Sequence, residues 1–185
     1  MNDEQIIQLF FTRNEDAIRR TDEQYGARLT RLSENIVHSR EDAQECVNDT
    51  YLVVWNRIPP NTPKSLRAFA CGIARNTALD RYRANTAQKR NSFYDAALDE
   101  LEEAVPALDN VESAYEAKEL AGYINRFLAD LSYNDRFAFV RRYYYADSVT
   151  DIARQMQHSP QRVSVRLFRI RSKLQTYLRN EGCLP

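Results

Sequence analysis

Glycine, proline and cysteine are all scarce in this sequence. Its 185 residues include four glycines and six prolines, whereas Ala, Leu, Arg, Glu and Gln dominate many stretches. A β architecture rich in turns needs more Gly and Pro, and the abundant residue types favour helices. The composition therefore predicts an all-α fold.

The few cysteines and histidines form no recognisable site. The three cysteines, Cys46, Cys71 and Cys183, are odd in number and far apart, and the two histidines stand alone. Neither pattern suits a disulfide framework or a zinc site. An HExxH motif and a glycine-rich phosphate loop are also lacking, so a helical enzyme or metal protein is disfavoured. We expect a protein that is not an enzyme and that holds no metal and no cofactor.

Long apolar runs are missing as well. No stretch reaches the length that crosses a membrane, and the first residues, MNDEQIIQLFF, carry acids where a signal peptide carries basic residues. We expect a cytoplasmic protein without membrane insertion.

Net charge is absent, but the charges are segregated. The chain has 26 basic and 26 acidic side chains. Seven basic residues and one acid lie between Lys64 and Arg90, nine acids and one lysine lie in 91–119, and six basic residues without an acid lie in 159–179. The charges therefore run in the order basic, acidic, basic along the chain, which the zero net charge conceals.

Helical periodicity is clear in the first half. Ser39 followed by Asp42 forms a capping-box pattern that opens a helix. Within this helix one stripe repeats at steps of three and four and is predicted to be buried: Ala43, Cys46, Val47, Thr50, Tyr51, Val54 and Ile58. The run IPPNTPKS ends the helix, and another starts near Ser65 and continues towards Lys89.

The acidic segment divides the chain. Residues 91–110 lose clear periodicity and contain Pro106, so we predict a linker there, with a short helix at Tyr94–Glu103 as one option. The prediction is two small helical domains, 1–90 and 111–185, joined by the acidic linker 91–110.

The last fifty residues indicate a helix-turn-helix. Ser148 and Asp151 open a short helix, and Ser159 and Pro160 open a long one. Val163, Leu167, Ile170, Leu174 and Tyr177 form its apolar seam, and a parallel basic stripe has no acid on its face: Arg162, Arg166, Arg169 and Lys173. Such a helix can enter the major groove, where Gln161 or Ser164 would reach bases. The stripe could also be a solvated face. The block Lys64–Arg90 likewise suits either melted DNA or a plain amphipathic helix.

Three stretches together resemble a known family. They are DAQECVNDTYLVVWNRI, IARNTALDRYR, and the segment from LSYNDRFAFVRRYYYADSV to RSKLQTYL. In order and spacing they resemble the extracytoplasmic-function class of bacterial RNA polymerase sigma factors, within the sigma-70 superfamily.

The resemblance implies partners and roles. The partners would be core RNA polymerase, promoter DNA and, as a family expectation only, an anti-sigma factor. The polymerase-binding residues would be Glu45, Asn48, Asp49, Leu52 and Trp55. The loop Asn56–Lys64 and the next helix would melt and read the minus-ten element through Asn56, Arg67, Arg75, Asn76, Asp80 and Arg83. The minus-thirty-five element would be read by Gln161, Arg162, Ser164, Val165, Arg166, Arg169 and Lys173.

The main alternative is a stand-alone helix-turn-helix regulator. Such a protein would bind its operator alone as a symmetric dimer, and it would tolerate loss of the surface between Glu45 and Trp55. A pure interaction module would not need two separate basic faces.

Overall fold

The computed structural model describes residues 1–85, 93–104 and 114–183, and within these ranges it contains helices and no strand. The predicted all-α fold is confirmed. The helices are α1 (Asp3–Phe11), α2 (Asp16–Val37), α3 (Arg40–Arg57), α4 (Leu66–Asn85), α5 (Phe93–Ala104), α6 (Ala114–Asp130), α7 (Tyr133–Phe139), a π-helical turn (Val140–Tyr144), α8 (Val149–Met156) and α9 (Pro160–Asn180). Contacts divide the chain into two compact units, Met1–Ser92 and Phe93–Pro185.

In the N-terminal unit α2, α3 and α4 pack against one another, and α1 packs against α2 and α4. The shared core includes the fully buried side chains of Leu29, Ile36, Val54 and Leu66. Each such side chain stabilises the fold by about 1.5–3 kcal/mol relative to an exposed position. α1 adds three buried side chains, Ile6, Ile7 and Phe10.

α3 begins and ends where the sequence predicts. Ser39 Oγ accepts a hydrogen bond from the Asp42 amide at 3.2 Å. The predicted stripe is buried, except that Tyr51 is half-buried. The helix ends at Arg57, just before Pro59, because proline cannot donate the next helical hydrogen bond.

The C-terminal unit is built around α9, which contacts α5, α6, α7 and α8. Val163, Leu167, Ile170 and Leu174 are buried, so this part of the predicted seam is confirmed. At the end of the helix Leu178 is fully buried, and Tyr177 is only half-buried. The reason is the helical repeat: two successive steps of four from Ile170 keep Leu174 and Leu178 on one face.

Part of the predicted acidic linker is packed in the structure. α5 lies inside 91–110, contacts α9, and buries Ala97 in the core of the C-terminal unit. Leu101 is half-buried against the same core. Among the many acids of this segment, Ala97 and Leu101 form a short apolar face that packs α5 against the C-terminal core. The remaining linker residues, 91–92 and 105–110, lie outside the described residues.

A short helix, a tight turn and a long helix lie at the predicted positions. Ser148 Oγ accepts from the Asp151 amide at 3.1 Å and caps α8. α8 ends at Met156, and the following residue, Gln157, has a φ of 56°, in the left-handed region. Ser159 Oγ then accepts from the Arg162 amide at 3.3 Å, and Pro160 occupies the first turn of α9.

Candidate nucleic-acid and protein interfaces

The outward side of α3 forms a ridge, here called the α3 ridge. It consists of Asn48, Asp49 and Leu52, which are exposed, and Trp55, which is half-buried. Leu52 is 59% exposed although it is a large apolar residue. These residues lie off the stripe that α3 buries, as the helical spacing predicts.

A groove flanks the α3 ridge on each side. The groove towards α2 has a volume of about 790 Å³ and is lined by Asn48, Leu52 and Trp55 from α3. The second groove lies between α3 and α4, and Asp49 and Leu52 line it together with Asp80 and Arg81. Leu52 therefore stands on the crest between two concave surfaces, which suits insertion into a partner.

The wall of the first groove depends on a glycine. Tyr51 Oη donates to Asp22 Oδ1 at 2.7 Å, and a Cβ on Gly26 would lie 2.2 Å from that same oxygen. A side chain at position 26 would therefore collide with the Asp22 carboxylate in the position where it accepts from Tyr51. Burial, followed by the hydrogen bond to Asp22, raises the pKa of Tyr51, so the phenol stays protonated and keeps donating.

Glu45 differs from the other predicted polymerase-binding residues. It is exposed, but it forms an ion pair with Arg81 of α4. Arg81 also lies 3.6 Å from Asp42, and Asn85 Nδ2 donates to Asp42 at 3.1 Å. Glu45 and Arg81 are therefore already engaged within the unit, and Arg81 drops out of the basic block that the sequence assigned to nucleic acid.

Trp55 is held from α1 and the turn that follows it. The ring of Phe10 meets the Trp55 ring edge-on with 6.0 Å between centroids. The Arg13 guanidinium lies over the same ring, 5.3 Å from its centroid. Arg13 Nη1 also donates to the Trp55 carbonyl at 2.7 Å. These contacts fix the last turn of α3.

The predicted minus-ten residues fall into three groups by position and exposure. Asn76, Asp80 and Arg83 are exposed and spaced by four and three, so they share one side of α4, here called the α4 face. Asn56 and Arg67 are exposed at the two ends of the α3–α4 loop, residues 58–65. Arg75 is half-buried. Lys89 and Arg90, the end of the predicted basic block, lie outside the described residues.

The outward side of α9, here called the α9 face, is only partly as predicted. Gln161, Arg162, Ser164, Val165, Arg169 and Lys173 are all exposed. Arg166 is not: it pairs with Asp135 of α7 at 2.5 Å and is mostly buried. The prediction that no acid neutralises the basic stripe is therefore wrong at Arg166, because α7 brings an acid that is distant in sequence.

The sequence interpretation missed Phe168. This residue is 62% exposed and lies near Val165, the other exposed apolar residue of the α9 face. Two exposed apolar side chains among polar and basic ones suit contact with thymine methyl groups in a major groove. The helical repeat could have identified it, because an aromatic residue that lies outside the buried seam of α9 must be exposed.

Acidic and basic side chains also meet inside the C-terminal unit, in a set here called the Glu100 cluster: Glu100, Arg142, Tyr143 and Arg171. Arg142 Nη2 donates to Glu100 Oε1 at 2.7 Å, and Arg171 Nη1 donates to Glu100 Oε2 at 3.0 Å. The Tyr143 hydroxyl donates to Glu100 and accepts from Arg171 at 2.7 Å. Burial raises the pKa of Tyr143, which keeps its proton available for this bond.

Three features of the described residues bear on other kinds of site. No group of His, Cys, Asp and Glu in the described part of the chain could hold a metal ion. Burial raises the pKa of Cys46, which suits an unreactive thiol in the core. Within residues 1–85, 93–104 and 114–183, no helix combines the length and apolarity that a membrane span requires.

Comparison with known proteins assigns one part of the chain. Residues 22–88 match the family model described as sigma-70 region 2. This stretch contains α2 from Asp22 onwards, the α3 ridge, the α3–α4 loop and the α4 face, and it leaves out α1 and the C-terminal unit. A search of curated protein sequences found no match.

Proposed function

A chain with a sigma-70 region 2 is a member of the sigma-70 superfamily, and we propose that this one is a sigma factor of the extracytoplasmic-function class. Region 2 gives it a role in binding RNA polymerase and in promoter melting. The finer proposal is that the N-terminal unit docks on core polymerase and holds the melted minus-ten element, while the C-terminal unit reads the minus-thirty-five element. It would act with the polymerase in the cytoplasm.

The observation that carries the proposal is the α3 ridge. Asn48, Asp49 and Leu52 project from the middle of region 2 and lie outside the buried core of their own unit. An exposed leucine flanked by amide and carboxylate groups resembles an interface centre with a polar rim. We assign this ridge, which includes Trp55, to polymerase binding. Glu45 is assigned a weaker contribution, because its carboxylate already forms an ion pair with Arg81.

The α4 face and the two ends of the α3–α4 loop are assigned to the melted strand. Asn76 offers an amide and Arg83 a guanidinium, groups that hydrogen-bond to exposed base edges and phosphates. Holding unpaired bases offsets the few kcal/mol that unstacking each of them costs. Asn56, Arg67, Arg75 and Asp80 complete this proposed set.

For duplex DNA we propose α8 and α9 as a helix-turn-helix. Gln161, Arg162, Ser164 and Val165 lie in the first two turns of α9, where a recognition helix meets base edges. Arg169 and Lys173 continue along the same side and would contact phosphates or guanine. Phe168 joins this set, whereas Arg166 would orient α9 against α7 through Asp135. An anti-sigma factor that covers these faces remains a family-based proposal.

The proposal is tested by association with purified bacterial core polymerase that lacks its own sigma factor. On gel filtration the chain is expected to co-elute with the core enzyme. Leu52→Asp is expected to weaken this association about tenfold or more, because it places a charge at the centre of the interface. Phe11→Asp is the matched control, since Phe11 is also an exposed apolar residue of this unit but belongs to α1 and not to the α3 ridge.

Two results would contradict the proposal. The first is equal association of the Leu52→Asp and wild-type chains. The second is sequence-specific duplex binding by the isolated chain without any polymerase association, which would favour the stand-alone regulator.

A further inference from the structure

The α3–α4 loop, residues 58–65, joins two elements with different proposed partners. α3 before it carries the polymerase-binding ridge, and α4 after it carries the face for the melted strand. Both ends of the loop are held by the same element, α1, together with the turn after it. α1 precedes the stretch that matches sigma-70 region 2, and nothing said so far gives it a role beyond packing.

At the end of α3, the loop is anchored through Trp55. Phe10 packs against its ring, and Arg13 both covers the ring and donates to the Trp55 carbonyl at 2.7 Å. A carbonyl in the last turn of a helix lacks a partner within that helix, so the bond from Arg13 replaces one that the helix cannot supply.

At the start of α4, the loop is anchored through Asp3. The Leu66 amide donates to Asp3 Oδ2 at 2.8 Å, and the hydroxyl of Tyr25 donates to Asp3 Oδ1. Leu66 is the first residue of α4, so a carboxylate from α1 acts as a cap for another helix. Its negative charge also suits the positive end of the α4 dipole.

α1 is well suited to set the distance between these two anchors. Its own start is fixed by a capping box, in which Asn2 Oδ1 accepts from the Gln5 amide at 2.9 Å and Gln5 Oε1 accepts from the Asn2 amide at 3.1 Å. Ile6, Ile7 and Phe10 bury its inner side. Asp3 and Phe10 are separated by about 10 Å along a rigid helix.

We propose that α1 is a brace that holds the α3–α4 loop in the conformation that captures unpaired bases, with Asp3 and Arg13 as its positioning residues. This inference rests on the proposed function. Neither residue touches DNA in this scheme. Asp3 fixes the position of the start of α4, and with it Arg67, relative to the loop. Binding of unpaired bases then does not carry the entropic cost of ordering the loop.

The brace predicts a specific pattern of loss. Asp3 lies on α1 and contacts Tyr25 and Leu66, not the α3 ridge. Its removal should therefore leave association with core polymerase unchanged and slow the opening of duplex DNA. A template that is already open should relieve much of the defect, because capture then no longer competes with reannealing.

The experiment uses full-length chain, core polymerase and a duplex selected from a randomised library by the wild-type holoenzyme. Opening is followed by permanganate reactivity of unpaired thymines. Asp3→Ala is expected to slow opening about fivefold, in line with the loss of a helix cap. Asp3→Asn, which keeps an oxygen acceptor for the Leu66 amide, should restore at least half of the rate. Glu4→Ala is the matched control, because it removes an equal charge from an exposed neighbour.

The outcomes separate this inference from the proposed function. Opening by Asp3→Ala at the wild-type rate would overturn the brace, and so would equal losses in core association and in opening. If the wild-type chain associates with polymerase but no library duplex is opened, the proposed function itself fails. Should Asp3→Ala not fold, Arg13→Ala tests the other anchor, with exposed Arg28→Ala on α2 as its control. Because Arg13 also contacts Trp55 of the α3 ridge, the opening rate of this variant is compared at saturating chain, where all core polymerase is occupied. Opening by Arg13→Ala at the wild-type rate under this condition would overturn the brace.

Discussion

In the N-terminal unit the residues proposed to bind partners lie outside the core, whereas in the C-terminal unit several basic side chains are part of the interior. Asn48, Asp49 and Leu52 are exposed on α3 and contribute nothing to the buried stripe. In contrast, Arg142 and Arg171 are held by Glu100, and Arg166 is held by Asp135. The difference teaches that a basic residue on or near a helix proposed to bind DNA is not by itself evidence of a DNA contact.

Substitutions in the two units should therefore affect different properties, partner binding in the N-terminal unit and stability in the C-terminal unit. Changing an exposed residue of the α3 ridge should alter binding and leave folding intact. Changing an arginine of the Glu100 cluster should alter folding first, because it takes one charged partner from a mostly buried carboxylate.

The largest expected effect is on stability, from Arg142→Ala. The Arg142 side chain is 5% exposed, and its loss should lower the free energy of unfolding of the C-terminal unit by about 3 kcal/mol. Trp55 is the only tryptophan and lies in the N-terminal unit, so its fluorescence in urea should show an unchanged midpoint while far-UV circular dichroism shows an earlier transition. The exposed Arg162→Ala is the control. An equal shift of both signals would contradict the separate role of the cluster.

The next effect sorts the arginines of α9 by their partners. Arg169→Ala should weaken binding of the holoenzyme to the selected duplex about tenfold, because an exposed arginine is free to contact DNA. Arg171→Ala, on the same helix, should change this affinity less than about twofold while lowering stability. Fluorescence anisotropy of labelled duplex measures both. Equal losses of duplex affinity in Arg171→Ala and Arg169→Ala would contradict the claim that the paired arginines of the C-terminal unit do not contact DNA.

A smaller effect distinguishes two acids of α3. Asp49→Ala should weaken core-polymerase association about tenfold, and Glu45→Ala about threefold, because Arg81 already competes for Glu45. Stability should fall by less than about 1 kcal/mol in Glu45→Ala, as expected for an exposed ion pair. Titration of fluorescently labelled chain with core enzyme gives the affinities. Equal losses for the two variants would show that the pair with Arg81 opens freely on docking.

The smallest effect is a pH dependence of the N-terminal unit. Burial, followed by the hydrogen bond to Asp3, raises the pKa of Tyr25 to about 12, above the value of about 10 for a free tyrosine. The folded chain thus keeps a proton that the unfolded chain loses, so this contribution is complete below about pH 10 and is lost as the pH rises through about 12.

Tyr25→Phe tests whether this tyrosine makes the N-terminal unit less stable as the pH rises. The urea midpoint followed by Trp55 fluorescence should fall less steeply with pH in this variant than in the wild type. Some slope should remain, because burial raises the pKa of Tyr51 in the same direction. An unchanged slope in Tyr25→Phe would contradict the raised pKa of the half-buried Tyr25.

Local patterns were predictable from the sequence, and contacts between distant segments were not. The caps at Ser39, Ser148 and Ser159 depend on residues three positions apart, and the structure confirms all three. The buried sides of α3 and α9 follow from the helical repeat. The roles assigned to the exposed residues stay predictions.

Charge patterns were the weak point. The stretch 159–179 contains no acid, but α5 and α7 supply Glu100 and Asp135 from elsewhere in the chain. The acidic segment around α5 gave no sign of packing, because one buried alanine and a few half-buried leucines are a weak signal among many acids. The hydrogen bond from the Leu66 amide to Asp3 joins residues that are 63 positions apart, and it has no local signature in the sequence.

The central claim, that this chain directs polymerase to a promoter, is tested most directly by reconstituted transcription. Core polymerase, the chain and the selected duplex should together yield transcripts from one start site. These transcripts should be absent without the chain and strongly reduced with Leu52→Asp. Transcripts that do not depend on the chain, or binding of the isolated chain to duplex DNA with no effect on polymerase, would contradict it.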